Sequence, residues 1–309
     1  MFCTKTLFRA LLYRFRPSAK MNCTSSLRRR PRMAFNSDQI REILSNAGRR
    51  ANRALGQNFC TDSALLSRCV KAAGFSDSSR VLEIGPGLGA LTEELLAAGA
   101  SVTAVEKDGF LADLLPTLLP GRKLTVYHED ILRFPVSDRM QPPFSVAGNL
   151  PYYITTPVVE RMLPLFPDIM LLMVQREASM RFFASPGDRV YGPLSIMTRC
   201  FYHAEILADV PPDRFYPAPD VTSAFVLLRK TDPDLPFPDG ARLLRFLHSA
   251  FSKRRKTLTN NITDPGLPAV LNALGIPSSV RAEALSPDQF LSLYALLQSG
   301  DRQQHSGAD

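Results

Sequence analysis

The 309-residue chain has no CxxC pair, and its five cysteines (Cys3, Cys23, Cys60, Cys69, Cys200) stand at no metal-ligand spacing. That excludes a disulfide framework and a cysteine metal site; an odd, scattered set reads as free thiols in a reducing compartment. Long apolar runs are also missing. The stretch from Ile169 to Val174 is among the longest and covers six residues, far short of a bilayer span, so no membrane-crossing helix is expected. Acidic residues are absent from the first 37 positions, which hold nine of the 37 Lys and Arg; removing them leaves 28 basic residues against 29 acidic ones. The net charge of +8 therefore belongs to the tail, and bulk charge licenses no general claim of nucleic-acid binding. No internal repeat is present.

What is there begins with that tail. It is Arg-rich and acid-free, and its short Leu/Phe patch is broken by Arg9 and Arg14, so it carries no secretory segment. Its composition resembles an organellar transit peptide. The plainer expectation is an upstream start codon, with translation beginning at Met21 or Met33. Residues 1–37 are read as a disordered basic tail and set aside.

From 38 onward the pattern is βα alternation. A short helix over 38–47 is followed by Arg49-Arg50-Ala51-Asn52-Arg53, then Leu55-Gly56-Gln57-Asn58-Phe59. Alone, Arg49, Arg50 and Arg53 read as a solvated linker. Asp62 suits the N-cap of a helix to Ala73, with Gly74 ending it. Residues 80–84 (Arg-Val-Leu-Glu-Ile) read as a buried strand running into Gly85-Pro86-Gly87-Leu88-Gly89 and a helix over 90–98. Strand, glycine turn, helix is the opening unit of a nucleotide-binding fold. The spacing G-x-G-x-G is tighter than the dinucleotide fingerprint, which argues against NAD. The next strand, from Ser101, ends at Glu106, where a carboxylate can accept from both hydroxyls of a ribose. A third strand, 124–127, leads to Asp130. A fourth, 144–148, delivers Asn149-Leu150-Pro151-Tyr152. Further strands are expected at 168–174, 202–210 and 222–228, with helices at 156–165, 175–183 and 193–200.

Asn149-Leu150-Pro151-Tyr152 sits where a strand ends and a helix begins, the edge at which open α/β sheets bind ligands. Asn offers both a donor and an acceptor, Pro fixes the direction of the Leu150 carbonyl, and Tyr152 offers a flat face. The group suits the edge of a planar amine; it also suits a plain strand-exit turn. The Pro-rich loop 211–219 carries Phe215, which proline stiffness could hold over a pocket mouth or which could simply belong to a connector. After a linker at 232–240, helices are expected at 241–251, 254–262, 267–274, 278–284 and 287–298. Lys253-Arg254-Arg255-Lys256 would start the second of these, as a phosphate-contacting patch or a solvated face.

Taken in order, Leu55-Gly56-Gln57-Asn58-Phe59, Glu83-Ile84-Gly85-Pro86-Gly87, Glu106, Asp130, Asn149-Leu150-Pro151-Tyr152, Phe215-Tyr216-Pro217-Ala218-Pro219 with Ser223, and Ala250 to Thr257 resemble the bacterial small-subunit ribosomal RNA adenine N6,N6-dimethyltransferases, the RsmA/KsgA family. The likeness runs from about Arg49 to Leu297. Two features depart from the family pattern: Cys60 stands where Leu is usual, and the 37-residue tail lies outside it.

The resemblance implies a Rossmann-like sheet of about seven strands (38–231), a small all-helical RNA-binding domain (232–300) and a short disordered tail (301–309). It implies S-adenosyl-L-methionine as cofactor, with Asn58, Cys60, Gly85, Gly87, Glu106, Asp130 and Asn149 around it and no metal. Asn149 and Leu150 would hold the target amine, and Tyr152 and Phe215 would sandwich the base. Arg49, Arg50, Arg53 and the four cations Lys253, Arg254, Arg255 and Lys256 would contact RNA phosphates. The implied activity is dimethylation of two adjacent adenines in a hairpin near the 3′ end of small-subunit rRNA, by a cytoplasmic monomer acting on a pre-30S particle. Two other readings share the core: a 23S rRNA adenine methyltransferase of the macrolide-resistance type, and a non-enzymatic mitochondrial transcription factor of the same ancestry, whose support is the basic tail.

Overall fold

The computed structural model describes residues 36–121, 123–232 and 239–305, with side chains described up to 299. The basic tail up to 35, most of the 232–240 linker and residues 306–309 lie outside the described residues. Nine strands are described: β1 (Phe59–Cys60), β2 (Arg80–Ile84), β3 (Ser101–Glu106), β4 (Leu124–His128), β5 (Ser145–Asn149), β6 (Ile169–Gln175), β7 (Tyr202–Val210), β8 (Phe215–Tyr216) and β9 (Ser223–Lys230). Seven form one sheet in the order β4-β3-β2-β5-β6-β9-β7. The first five are parallel, while β9 runs antiparallel to both β6 and β7. The expected seven-stranded sheet closing on a late strand pair is the one observed.

Strand burial follows from where the helices lie. In β6, Met170 to Val174 are fully buried, because helices cover both faces and an unbroken apolar run satisfies both. In β2, Leu82 and Ile84 join one apolar cluster and Val81 the other, as period-two alternation demands. The order of strand addition reverses between β2 and β5, with β3 and β4 to one side and β6 to the other. At such a point the loops leaving the strands splay apart and open a crevice.

Local signals set the helix ends. Asp62 accepts from Leu65 N at 2.9 Å to cap Ser63–Ala73, and Gly74 closes it at φ 75°. Asn36 caps Ser37–Asn46 with a reciprocal bond to Gln39, so that helix begins one residue before the expected 38. The helix Gly109–Leu118 was not foreseen: Pro116 falls inside its last turn and masks the periodicity. Nor was the two-stranded ladder in which Phe59 and Cys60 of β1 pair with Tyr216 and Phe215 of β8. Its strands are two residues long, too short for a periodic signal.

The helices after 239 correct the expectation in three respects. The expected 254–262 helix shrinks to Leu258–Asn261, and 278–284 to one 3₁₀ turn, Ala282–Ala284. Four consecutive like charges disfavour a helix there. Lys253 to Lys256 instead form a turn, closed by Asn261 Nδ2 donating to Ala250 O (2.7 Å) and Lys253 O (3.2 Å). The last helix, Pro287–His305, runs past the expected stop, so 301–305 are helical rather than tail. The helical part also shares its core with the sheet. Leu243, Leu247, Leu271, Phe290 and Leu293 belong to the same apolar cluster as Leu82, Val146 and Leu172.

Candidate functional site

At the C-terminal edge of β2, β3 and β5 lies a cleft of about 1100 Å³, open to solvent. Its floor is the glycine turn after β2. Gly85 sits at φ 64° with nothing within 4 Å of a Cβ position, so the backbone is bare toward the cleft. Gly87 sits at φ 58°, and a Cβ there would meet the Phe59 ring at 3.0 Å. Positive φ and close approach both require glycine here.

Glu106 ends β3 beneath this turn. Its Oε2 accepts from Gly87 N at 3.0 Å and its Oε1 from Asp108 N at 2.8 Å. Burial pushes its carboxyl above the ordinary carboxylate range, opposed by those two N–H donors. Each oxygen keeps a further lone pair, so a diol can be received on a pre-aimed carboxylate. Asp130, from the loop after β4, accepts from Leu132 N (3.0 Å) and pairs with Lys107 (2.8 Å), which holds its carboxyl below the ordinary range. Asn58 and Cys60 line the opposite wall.

Asn149 ends β5 between these walls. Its Nδ2 donates to the Asn58 main-chain carbonyl at 2.8 Å. A carbonyl can only accept, so the amide orientation is fixed by chemistry: the NH₂ faces Asn58 and Oδ1 is turned away from it. The neighbouring Leu150 donates its N–H to Met173 O at 3.0 Å. Pro151 has no donor and packs against Gly56, where a Cβ would meet Pro151 Cβ at 2.9 Å. A side chain at 56 would therefore push the N-terminal loop off the Asn149–Tyr152 turn.

Two aromatic expectations meet a different arrangement. Tyr152 is half-buried, donates or accepts at Ser223 Oγ (2.7 Å), and is pushed above its ordinary pKa by burial. Phe215 is only 3% exposed and packs in the cluster with Cys60, Leu65 and Leu66. It does not hang over the pocket mouth, because pairing of β8 with β1 turns its ring into the core. The aromatics lining the cleft are Phe59, largely buried, and Tyr153, 56% exposed.

The basic residues divide likewise. Arg49 pairs with Asp108 (3.4 Å) and stacks over Phe110 (4.7 Å), while Arg50 and Arg53 are exposed. Asp108 also receives Gln57 Nε2 at 3.0 Å, so the N-terminal loop is latched to the loop behind Glu106. Lys253, Arg255 and Lys256 are exposed. Arg254 bonds to Glu283 (3.0 Å) and to the carbonyls of Asp188 and Arg189, which makes it a tie within the fold rather than a free phosphate contact. Cys60 and Cys69 are buried free thiols and Cys200 is half-buried; Cys3 and Cys23 lie outside the described residues.

Sequence reasoning gave no role to Glu83, Lys107, Gln57 or Tyr153, all of which line the cleft. The available signal was Glu83 itself, a carboxylate between Leu82 and Ile84 in a strand that is otherwise apolar after Arg80. Among the described residues, no group of His, Cys, Asp and Glu is placed to hold a metal, and no helix is long and apolar enough to cross a membrane.

A switch-point cleft with a bare glycine turn and an acid ending the next strand defines a Rossmann-like methyltransferase of the S-adenosylmethionine-dependent class. Within that class, the chain belongs to the ribosomal RNA adenine dimethylase family, whose profile matches residues 48–299. A protein of Geobacillus kaustophilus named Ribosomal RNA small subunit methyltransferase A is 37% identical, over 82% of this chain and 94% of its own. One of the same name from Dinoroseobacter shibae is 40% identical, over 84% and 97%. Among solved structures, a dimethyladenosine transferase from Plasmodium falciparum matches the fold with TM-score 0.65 at 24% identity, covering 78% of this chain and 98% of that one. The 23S rRNA methyltransferase ErmE matches with TM-score 0.58 at 27% identity, covering 78% and 100%.

Proposed function

We propose that the chain uses S-adenosylmethionine to dimethylate the N6 amines of two adjacent adenines in a hairpin near the 3′ end of small-subunit rRNA. The observation that carries this is the Asn149 amide, pinned by the Asn58 carbonyl at the junction of the glycine cleft and the Asn-Leu-Pro-Tyr turn. The cleft suits the cofactor: Glu83, Glu106, Glu129 and Asp130 line it against a single cation, Lys107, which is already paired with Asp130. Such a surplus fits a ligand with cationic centres. Glu106 would take the ribose hydroxyls and Asp130 the adenine amine, with Asn58, Cys60, Gly85 and Gly87 shaping the wall.

When bound, the cofactor supplies an electrophilic methyl group. The residues do the rest. An adenine amine is a weak nucleophile because its lone pair is delocalised into the ring. Asn149 Oδ1 and the Leu150 carbonyl would each accept one of its hydrogens, favouring a pyramidal nitrogen whose lone pair is directed at the methyl. No strong base is needed, since the proton becomes acidic only after transfer and leaves to solvent. The target base would be flipped from its stack and held against Tyr152. Phe215 can join only if the β8 segment yields.

Arg50, Arg53, Lys253, Arg255 and Lys256 supply the exposed positive charge for rRNA phosphates, with Arg49 and Arg254 fixing the loops that carry them. The names of the relatives that match at 37% and 40% identity favour the small subunit over the large. A cytoplasmic monomer acting on a pre-30S particle is part of the same proposal. The test is a methylation assay on 30S and on 50S particles, with dimethyladenosine mapped afterwards. Two adjacent modified adenines near the 3′ end of the 30S rRNA are expected. Modification of 50S particles instead would overturn the choice of subunit, and no transfer to either would overturn the activity.

A further inference from the structure

Among the described residues, the large apolar side chains left exposed are Tyr153, Met180, Val221 and Leu296. Leu296 is on the last helix, but the other three meet around the Asn149–Tyr152 turn. Val221 stands just before β9, which opens on Ser223, and the Ser223 hydroxyl bonds to Tyr152 Oη at 2.7 Å. Met180 follows the short helix Arg176–Ser179, and the next residue, Arg181, donates to Thr156 Oγ1 at 3.0 Å in the helix after the turn. Arg176 ties the two together: its N–H donates to Thr222 O at 3.0 Å, and its Nη1 meets Met180 Sδ at 2.9 Å. Tyr153 belongs to the turn itself. Its ring lies along the N-terminal loop, with Cε1 3.3 Å from where a Cβ at Gly56 would stand.

Exposed apolar side chains gathered at one place mark a surface that something covers. The charges around these three say what kind of partner fits. Arg176 is already engaged, by Asp209 at Nε (2.8 Å) and by Met180 and Ser179 at Nη1, and Arg181 is turned to Thr156. The acids Glu177, Asp209 and Asp220 are exposed beside them. A phosphate would meet apolar surface and negative charge here, whereas Lys253, Arg255 and Lys256 offer exposed cations elsewhere. The face of a nucleobase is uncharged and largely apolar, and it suits such a surface. Flipping one base out of a stack also leaves its neighbours with bare faces that need a cover.

We propose that Tyr153, Met180 and Val221 form an apolar rim that receives the unpaired bases flanking the target adenine. This rests on the reading of the Asn149–Tyr152 turn as the place where an rRNA adenine is methylated, and the rim is continuous with that turn through the Tyr152–Ser223 bond. Tyr153 offers a ring for stacking, and the unbranched, polarizable Met180 side chain adapts to whichever base arrives. The rim adds a condition that the turn alone does not set. A base held in a duplex cannot lay its face on these side chains, so the rim favours an adenine in a loop over one in a helix.

The experiment measures binding of the full chain to unmethylated 30S particles across a range of salt concentrations. The parent is compared with Tyr153→Ala and with the double variant Met180→Ala/Val221→Ala. Each variant should bind roughly tenfold more weakly, the scale of one lost base contact. The slope of log K against log salt should stay that of the parent, because no phosphate contact is removed. A second measurement replaces Met180 by the photo-cross-linker p-benzoylphenylalanine and irradiates the complex. The cross-link should fall on a nucleotide beside the adenine that becomes methylated. Unchanged affinity in both variants, a lowered salt slope, or a cross-link to a ribosomal protein overturns the proposal while leaving methylation by the parent intact. A parent that neither binds nor methylates the particles overturns the reading of the turn, and this proposal with it. Should the double variant fail to fold, Tyr153→Ala and the cross-link decide.

Discussion

At the scale of single residues, Asn149 is the sharpest case. Its donor is used by Asn58, so removing the side chain takes away the proposed amine acceptor and leaves Glu106 and Asp130 in place. Asn149→Ala should bind S-adenosylhomocysteine within about threefold of the parent and lose about 10²–10³-fold in turnover, the usual cost of one pre-aimed electrostatic group. Unchanged turnover would falsify the assignment. Phe215 sets up a contrast with Tyr153. Phe215→Ala empties a core position and should cost about 3–5 kcal/mol of stability, visible as a lower Tm, whereas Tyr153→Ala, at a half-exposed ring, should leave Tm nearly unchanged. Glu83 gives a pH signature in the empty protein. Its folded pKa lies above its unfolded value, so the folded state binds more protons between about 4.5 and about 8. Stability therefore falls as pH rises through that window, by at most a few kcal/mol. Thermal melts from pH 5 to 8 should show this slope, and a flatter one for Glu83→Gln. Glu106 and the glycine turn were legible because they fall at fixed offsets from strand ends. The burial of Phe215 was not, because it depends on pairing with Cys60, 155 positions upstream, which no local pattern announces.

At the scale of elements, the cation run shows how one motif divides its labour. Arg254 points back to Glu283 and two carbonyls, while its neighbours face outward. Replacing Lys253, Arg255 and Lys256 with Ala should weaken rRNA binding, lower the slope of log K against log salt by roughly one unit per lost phosphate contact, and leave Tm unchanged. Arg254→Ala should lower Tm instead. If the triple variant keeps the full salt slope, those three side chains are only a solvated face. The strands of the sheet were readable almost to the residue, since continuous apolar runs bounded by Gly and Pro have few other interpretations. The helices after 239 were less so. Their ends depend on charge crowding and on side chains such as Asn261 that close turns from a distance.

At the scale of the whole molecule, a linker composition at 232–240 suggested two domains, yet one apolar cluster runs from Leu82 and Val146 to Leu247 and Phe290. The sequence pattern shows which faces are apolar but not that two of them meet. A shared core should make thermal unfolding a single transition, and Leu247→Ala should lower stability throughout by about 2–5 kcal/mol. Two separated transitions would contradict a common core. The tie between Asn149 and Asn58 has its own consequence at this scale. Because Asn58 contributes a peptide oxygen, no exchange of its side chain deletes the partner that orients the Asn149 amide. The setting of that amide is inherited from the path of the main chain, and so from Gly56, Pro151 and the Gln57–Asp108 latch together. Exchange of the side chain at position 58 then reaches the direction of that amide only through the main-chain path it helps to hold, by way of its own bond to the Gly56 carbonyl.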